Sequence, residues 1–176
     1  MRILDTGCGI GILTLALRLL NYNIVGIDKY VFVPSRRFFV EDIDKLKKIW
    51  KEHDLSILSH DIFSEKLSNK YDVIISVAVI EHQAYPKFFI KNLMRNLDEN
   101  GLLYIATPNV VNLTNRLRVL IGRPPLGNIK EFYHDADVFT GHFREYTLSE
   151  LEVMFCISGL NIIFSKNLYS GKLKFK

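Results

Sequence analysis

A short apolar strand that runs into a glycine-rich turn and then into an apolar helix constrains this chain more than any other feature. Arg2-Ile-Leu-Asp5 is the strand, Gly7, Gly9 and Gly11 punctuate the turn, and Ile12 to Leu20 reads as a helix apolar on most faces. Such a helix needs a sheet to pack under. The chain goes on to supply one. Asn23 to Ile27 is a second strand, Ser35 to Lys51 a helix with a polar face, and Leu55 to Leu58 a third strand. Tyr71 to Val77 is apolar enough to be a central strand buried on both sides. Pro86 to Leu97 reads as a helix with proline near its start and Asn100-Gly101 ending it. Leu102 to Ala106 is a fifth strand, stopped by Thr107-Pro108-Asn109. Thr147 and Glu150 stand in capping-box spacing at the start of a helix that runs to Ser158. Asn161 to Phe164 is a sixth strand, and Lys172 to Phe175 a weaker seventh.

This alternation predicts an α/β fold: a doubly wound, mostly parallel sheet of six to seven strands with helices on both faces, in one domain over residues 1–176. The mixed stretch from Asn109 to Phe143, too long for a plain connection, is expected to be a lid or substrate insertion.

Composition excludes several classes. With 48% apolar and 24% charged residues, disorder is not expected. The longest apolar run, Val73 to Ile80, is far too short to span a bilayer, so no membrane partner is expected. Met1-Arg2 leads almost at once to Asp5 and the glycine turn, which reads as the absence of a signal peptide. Cys8 and Cys156 make no disulfide framework, and a cytoplasmic location is expected. The net charge of +4 is spread along the chain. Lys45, Lys47, Lys48 and Lys51 read as a solvated helix face, and no aromatic-interleaved basic stripe argues for nucleic acid.

The glycine turn departs from the dinucleotide-binding spacing. Counted from Gly7, the third glycine of that pattern would fall on Ile12, whereas here it is Gly11, and Asp5 precedes the turn. A pyrophosphate wants only N–H donors, and a carboxylate at the strand end would repel it. Asp5 suits a ligand that carries an ammonium group. Asp28, about 20 residues on at the end of the neighbouring strand, suits the two hydroxyls of a ribose. Asp61 can accept from an adenine amino group with Ile62 against the ring, or it can serve as a turn or capping aspartate.

Taken together, the motifs resemble one family. Ile3-Leu-Asp-Thr-Gly-Cys-Gly-Ile-Gly11 looks like motif I of class I methyltransferases, and Val25-Gly-Ile-Asp28 like their second motif. Tyr71 to His82, Leu97 to Asn109, and Gly141 to Thr147 followed by Leu151 and Gly159-Leu160 resemble the later segments, in order. The nearest branch is the ubiquinone-biosynthesis-like one, rich in O-methyltransferases of small molecules and glycans. The resemblance implies a Rossmann-like fold and S-adenosylmethionine as cofactor, with S-adenosylhomocysteine as product. It maps Asp5, Gly7, Cys8, Gly9, Gly11, Asp28, Lys29, Asp61 and Ile62 onto cofactor-binding positions, with Val77 and Ala78 beside cofactor and substrate. Cys8 reads as a small filler rather than a nucleophile.

Methyl transfer to a hydroxyl needs a base, or a metal that acidifies the hydroxyl. Glu81 and His82, just past the fourth strand, and His142 are the candidate catalytic residues. Glu81 and His82 can alternatively cap the next helix or order the loop. In some relatives, including small-RNA 2′-O-methyltransferases, Glu-x-x-Glu-His and a later histidine hold a divalent metal. Here Ala78 stands in place of the first acid, and no metal is expected. Phe132, Tyr133, Phe139 and Phe143 either line a substrate pocket or pack the lid down, while His134, Asp135 and Asp137 read as solvated lid residues.

The expected activity is O-methylation of a small-molecule or sugar hydroxyl. The alternatives are an RNA methyltransferase and a non-catalytic cofactor-binding subunit. Ser76-Val-Ala-Val stands where an Asp/Asn-Pro-Pro-aromatic motif would mark base-amino methylation. Relatives carry helices ahead of the first strand that cover the cofactor. That cover is missing here, so it is expected from 109–143, from a longer chain, or from a partner or second copy.

Overall fold

The computed structural model describes residues 1–29, 40–61, 67, 69–125, 129, 133 and 141–168. The apolar segments pair into one parallel sheet: β1 (Arg2–Thr6), β2 (Asn23–Asp28), β3 (Ser56–Ser59), β4 (Tyr71–Val77) and β5 (Leu97–Ala106), in the order β3-β2-β1-β4-β5. Around it stand α1 (Ile12–Leu19), α2 (Val40–Glu52), α3 (Pro86–Asn96), α4 (Leu113–Leu120) and α5 (Leu148–Ile157), with a 3₁₀ turn over Ile80–His82.

The chain steps outward from β1 to β2 and β3, then crosses to β4 and steps the other way to β5. Right-handed crossovers place the helices of these two halves on opposite faces. The order reverses between β1 and β4, which opens a crevice at their carboxyl ends.

β4 is central, as predicted, but not equally buried. Ile74 and Ser76 on one face are fully buried, while Val73 and Ile75 on the other are half-buried. The main core lies under α3, whose Phe89, Ile90 and Leu93 pack with Leu4, Ile74, Ile80 and Tyr146. Burying each such side chain stabilises by about 1.5–3 kcal/mol. Leu151, Met154 and Phe155 of α5 close this core from the side.

Three expectations need correction. Among the described residues the sheet has five strands, and Asn161 to Phe164 is not one of them. That segment runs exposed after the left-handed Gly159. Its β-propensity is realised only against a partner strand, and the predicted seventh strand at 172–175 lies outside the described residues. Asn100-Gly101 does not end α3, because the chain passes straight from Asn96 into β5 at Leu97. Leu97 pairs with Tyr71 and the ladder resumes at Val73–Leu102, so the intervening residues form a bulge. A Cβ on Gly101 would sit 2.8 Å from the Leu97 side chain and 3.1 Å from the Asp72 carbonyl, so the bulge needs glycine there. Finally, the stretch from Asn109 to Phe143 holds a helix, α4, that periodicity did not reveal. The predicted helix start at Ser35 lies outside the described residues, as do Ile62, Phe132, His134, Asp135, Asp137 and Phe139.

Candidate functional site

The glycine turn sits at the mouth of the crevice. Gly7, Gly9 and Gly11 all have left-handed φ values, of 69°, 54° and 85°. Gly7 and Cys8 donate to the Ile27 carbonyl at 2.8 and 3.1 Å, which ties the turn to the end of β2. A Cβ on Gly7 would collide with the Val79 side chain, so the turn lies against the loop that follows β4. A Cβ on Gly9 meets no atom within 4 Å, so the turn is open there. Trp50 of α2 holds the turn from the other side, donating from Nε1 to the Ile10 carbonyl at 3.0 Å. α1 begins at Gly11 with no side-chain cap and no acid in its first turn, so its first N–H groups face the turn. Cys8 is half-buried, and its sulfur packs over Gly26, where a Cβ would come within 2.9 Å of it, in keeping with a filler role.

Two carboxylates flank the turn. Asp5 is only 2% exposed, and its Oδ2 accepts from the Thr14 hydroxyl at 2.7 Å. Burial pushes its pKa above the usual carboxylate range, the charge of Asp28 adds to this, and the Thr14 hydrogen bond opposes it. Asp28 Oδ2 accepts from the Gly9 N–H at 2.7 Å. Burial raises its pKa too, against the N–H groups of Gly9 and Lys29. Two partly desolvated acids beside an open turn suit a cationic ligand and oppose a pyrophosphate. Lys29 and Asp61, at the ends of β2 and β3, pair at 2.7 Å. Asp61 therefore meets a lysine as well as any adenine amino group.

The second cluster lies past β4. Ala78 adopts φ 56°, unusual for a residue with a side chain, and its N–H donates to the Ala106 carbonyl at 2.8 Å. This turns the chain into the 3₁₀ segment that carries Glu81 and His82. Neither residue caps α3, whose N-cap Tyr85 has no side-chain hydrogen bond. Glu81 is fully buried. Its Oε2 accepts from the Thr107 hydroxyl at 2.8 Å, and its carbonyl accepts from the N–H groups of Phe143 and Arg144 at 2.8 and 3.3 Å. Its Oε1 is buried without a hydrogen-bond partner among the described residues.

His82 Nδ1 lies 3.0 Å from the Gly141 carbonyl. A carbonyl only accepts, so Nδ1 carries the proton and the basic lone pair of the neutral ring is on Nε2. His142 Nδ1 lies 2.8 Å from Glu145 Oε1, which fixes the same tautomer. The two rings meet edge to face, with centroids 4.8 Å apart. One ligand atom from each of Glu81, His82 and His142 falls within 4.8 Å of the others. The structure thus brings together the three residues singled out from sequence, although His142 lies 60 positions beyond His82.

Sequence reasoning missed Thr14, Trp50, Val79, Thr107, Gly141 and Glu145. Only Glu145 left a legible signal, the His-x-x-Glu spacing from His142. The others act through contacts that form only when distant segments meet.

The chain matches the family model described as a methyltransferase domain over residues 1–164. The ubiquinone biosynthesis O-methyltransferase of Rickettsia akari (strain Hartford) is 28% identical over 141 residues, covering 79% of this chain and 53% of that protein. The one from Rickettsia prowazekii (strain Madrid E) is 30% identical over 139 residues, covering 79% and 52%. This chain spans about half the length of the curated relatives it matches. A solved S-adenosylmethionine-dependent methyltransferase from Thermotoga maritima shares the fold, with a TM-score of 0.59 at 16% identity over 90% of this chain and 62% of that one. The chain belongs to the methyltransferase domain family, within the class I S-adenosylmethionine-dependent methyltransferases.

Proposed function

We propose that this domain transfers a methyl group from S-adenosylmethionine to a hydroxyl of a small molecule or sugar. The observation that carries this reading is the pairing of two partly desolvated carboxylates with an open glycine turn at the switch point of the sheet. The residues fit the cofactor. A Cβ-sized space stands open over Gly9, the buried Asp5 is the proposed partner of an ammonium group, and Asp28, at the end of β2 beside Gly9, is the proposed acceptor for a ribose diol. Gly7, Cys8, Gly11, Lys29, Asp61, Ile62, Val77 and Ala78 complete the proposed cofactor contacts.

The cofactor, when bound, supplies an electrophilic methyl carbon on a sulfonium leaving group. The chain's own task is to orient the acceptor and take its proton. His82 is the proposed base. The Gly141 carbonyl holds its Nδ1 proton, so Nε2 receives the hydroxyl proton as the oxygen–carbon bond forms and the carbon–sulfur bond breaks. His142, oriented by Glu145, stands beside it to share the resulting charge or bind the acceptor. Glu81 fixes the 3₁₀ turn through Thr107 and the 143–144 backbone.

Residues 109–143 are the proposed lid, supplemented by a second copy, a partner or further chain. A content of only two cysteines in 176 residues supports a reducing compartment, and hence the cytoplasm. Among the described residues, no helix is long and apolar enough to cross a membrane.

A second reading has one observation behind it, the unpartnered Glu81 Oε1 beside two imidazoles. These three residues would hold a divalent cation, which would lower the acceptor hydroxyl's pKa. Ligand atoms around a zinc-sized ion are at most about 4.2 Å apart, so the observed 4.8 Å needs a small closure.

Methyl transfer to a panel of phenols and sugars tests the proposal. His82→Ala should lower kcat by about 10²- to 10⁴-fold with little change in cofactor affinity. Unchanged turnover in that variant would refute the assignment of the base. Loss of turnover on chelation, restored by added metal, would favour the second reading.

A further inference from the structure

α3 packs one face into the core and turns the other to solvent. Its buried residues are Phe89, Ile90, Leu93 and Asn96. At about 100° per residue, Lys87, Lys91 and Arg95 fall within an arc of about 80° on the opposite side. Phe88 and Asn92 lie along one flank of that ridge, and Tyr85 stands at the N-cap. Tyr85 and Phe88 are 70% and 58% exposed, and their rings meet edge to face with centroids 6.3 Å apart. Aromatic and basic residues that are scattered in the sequence thus stand side by side on the surface.

The charge of the ridge is unbalanced. No acidic residue occurs between Glu81 and Asp98. Among the described residues, Lys87, Lys91 and Arg95 make no ion pair. Cations four residues apart repel along a helix, and Lys87 sits in the first turn, where the helix dipole disfavours it. A face that keeps three such charges is complementary to an anion from outside the chain.

The shape of the face narrows the choice of anion. Two shallow pockets lie side by side on it, of about 310 and 350 Å³. Tyr85, Phe88 and Asn92 line the first. Lys87, Met94 and Ser158, the last at the end of α5, line the second. Lys91 and Arg95 line both. Arg95 donates to Asn92 Oδ1 at 3.3 Å, while Asn92 Nδ2 makes no hydrogen bond among the described residues. An exposed aromatic pair is a platform for a base, and an amide donor can bond the edge of that base. Two cations on a shared wall suit the phosphate that joins one nucleotide to the next. An acidic protein segment is a poorer match, because lysine is depleted at protein interfaces and carboxylates leave the aromatic pair unused.

We infer that the outer face of α3 docks single-stranded nucleic acid. One base stacks on Tyr85 and Phe88, and the adjoining phosphate lies between Lys91 and Arg95. The next nucleotide occupies the pocket over Met94, with Lys87 at its rim. None of these residues belongs to the proposed cofactor or catalytic set, so this surface stands apart from the proposed methyl transfer. The expectation against nucleic acid rested on the linear sequence, where no basic stripe is visible. The stripe forms only when the helix brings residues four apart onto one ridge.

The test is fluorescence anisotropy of labelled oligouridine, oligothymidine and a duplex of equal length, titrated with the whole chain across a range of salt. The wild type should bind single strands more tightly than the duplex, with an affinity that falls as salt rises. Phe88→Ala should weaken binding about 5- to 150-fold through the loss of one stacked base. Lys91→Gln/Arg95→Gln should lower the salt slope by about 0.7 for each phosphate contact removed. All three side chains are exposed, so both variants should melt like the wild type. A preference for oligouridine assigns RNA, and one for oligothymidine assigns DNA. No binding, duplex binding as tight as that of single strands, or variants that bind like the wild type would overturn the inference. Tighter binding of polyglutamate than of either single strand would overturn it in favour of an acidic protein partner.

Discussion

Gly7 and Gly9 both have left-handed backbones, yet alanine at the two positions should do different things. At either one, a Cβ in that region costs roughly 1–2 kcal/mol. At Gly7 the new methyl also collides with Val79, and such overpacking adds about 1–3 kcal/mol. Gly7→Ala should therefore lose about 2–5 kcal/mol, a large share of the roughly 5–15 kcal/mol by which a domain is stable. Gly9→Ala meets no neighbour and should lose only the backbone part. Its methyl instead fills the space proposed for the cofactor. The assay is urea denaturation of each variant alongside calorimetry with S-adenosylhomocysteine. Gly7→Ala should unfold at clearly lower urea, and Val79→Ala in the same chain should restore part of the loss. Gly9→Ala should unfold at urea between that of Gly7→Ala and the wild type, but lose most of its affinity. Equal destabilisation by the two substitutions would refute the packing argument, and wild-type affinity in Gly9→Ala would refute the cradle.

Asp5 and Asp28 have raised pKa values, so the folded chain holds these protons more firmly than the unfolded one. Their contribution to the stability of the ligand-free chain is present below the unfolded carboxylate pKa and is lost as pH rises through the folded values. A cationic ligand prefers both acids ionised, so the gain in Tm on adding S-adenosylhomocysteine should grow as pH rises through the same window. A gain that is flat with pH would contradict this. Thr147→Ala removes the side-chain half of the capping box, the bond from the Glu150 N–H to the Thr147 hydroxyl, and should cost about 1 kcal/mol in urea titrations. Glu150 is held below the usual carboxylate range by the Thr147 N–H and then by Arg144, so its stabilisation is present at neutral pH and lost on acidification. Because Thr147→Ala keeps that N–H and Arg144, acidification should lower the stability of wild type and variant alike, which urea titrations at neutral and acidic pH check.

The parts of the fold legible in the sequence are those that local rules determine. β4 matches its predicted bounds, and β1 and β2 each extend only one residue beyond theirs, because apolar runs bounded by Asp and Gly leave little choice. The cap of α5 follows from Thr147 and Glu150 alone. Asn100-Gly101 misled because glycine serves both a turn and a bulge, and only the pairing of Leu97 with Tyr71 decides between them. α4 was hidden because its apolar stripe faces away from the core, in a stretch rich in turn residues. At the site, the residue types and order identified the acids, the glycines and the histidines. Which oxygen of Glu81 is engaged, and which nitrogen of His82 carries the proton, depends on Thr107 and Gly141, distant positions that no local pattern links to them.

The central claim is that the crevice between β1 and β4 binds S-adenosylmethionine rather than a dinucleotide. Calorimetric titration with S-adenosylhomocysteine, with NAD as control and Asp28→Asn beside the wild type, tests it most directly. The account predicts saturable binding of S-adenosylhomocysteine, no heat with NAD, and an affinity about 10- to 150-fold weaker in Asp28→Asn from the loss of a charge-assisted hydrogen bond. Binding of NAD, or an affinity for S-adenosylhomocysteine that Asp28→Asn leaves unchanged, would contradict it.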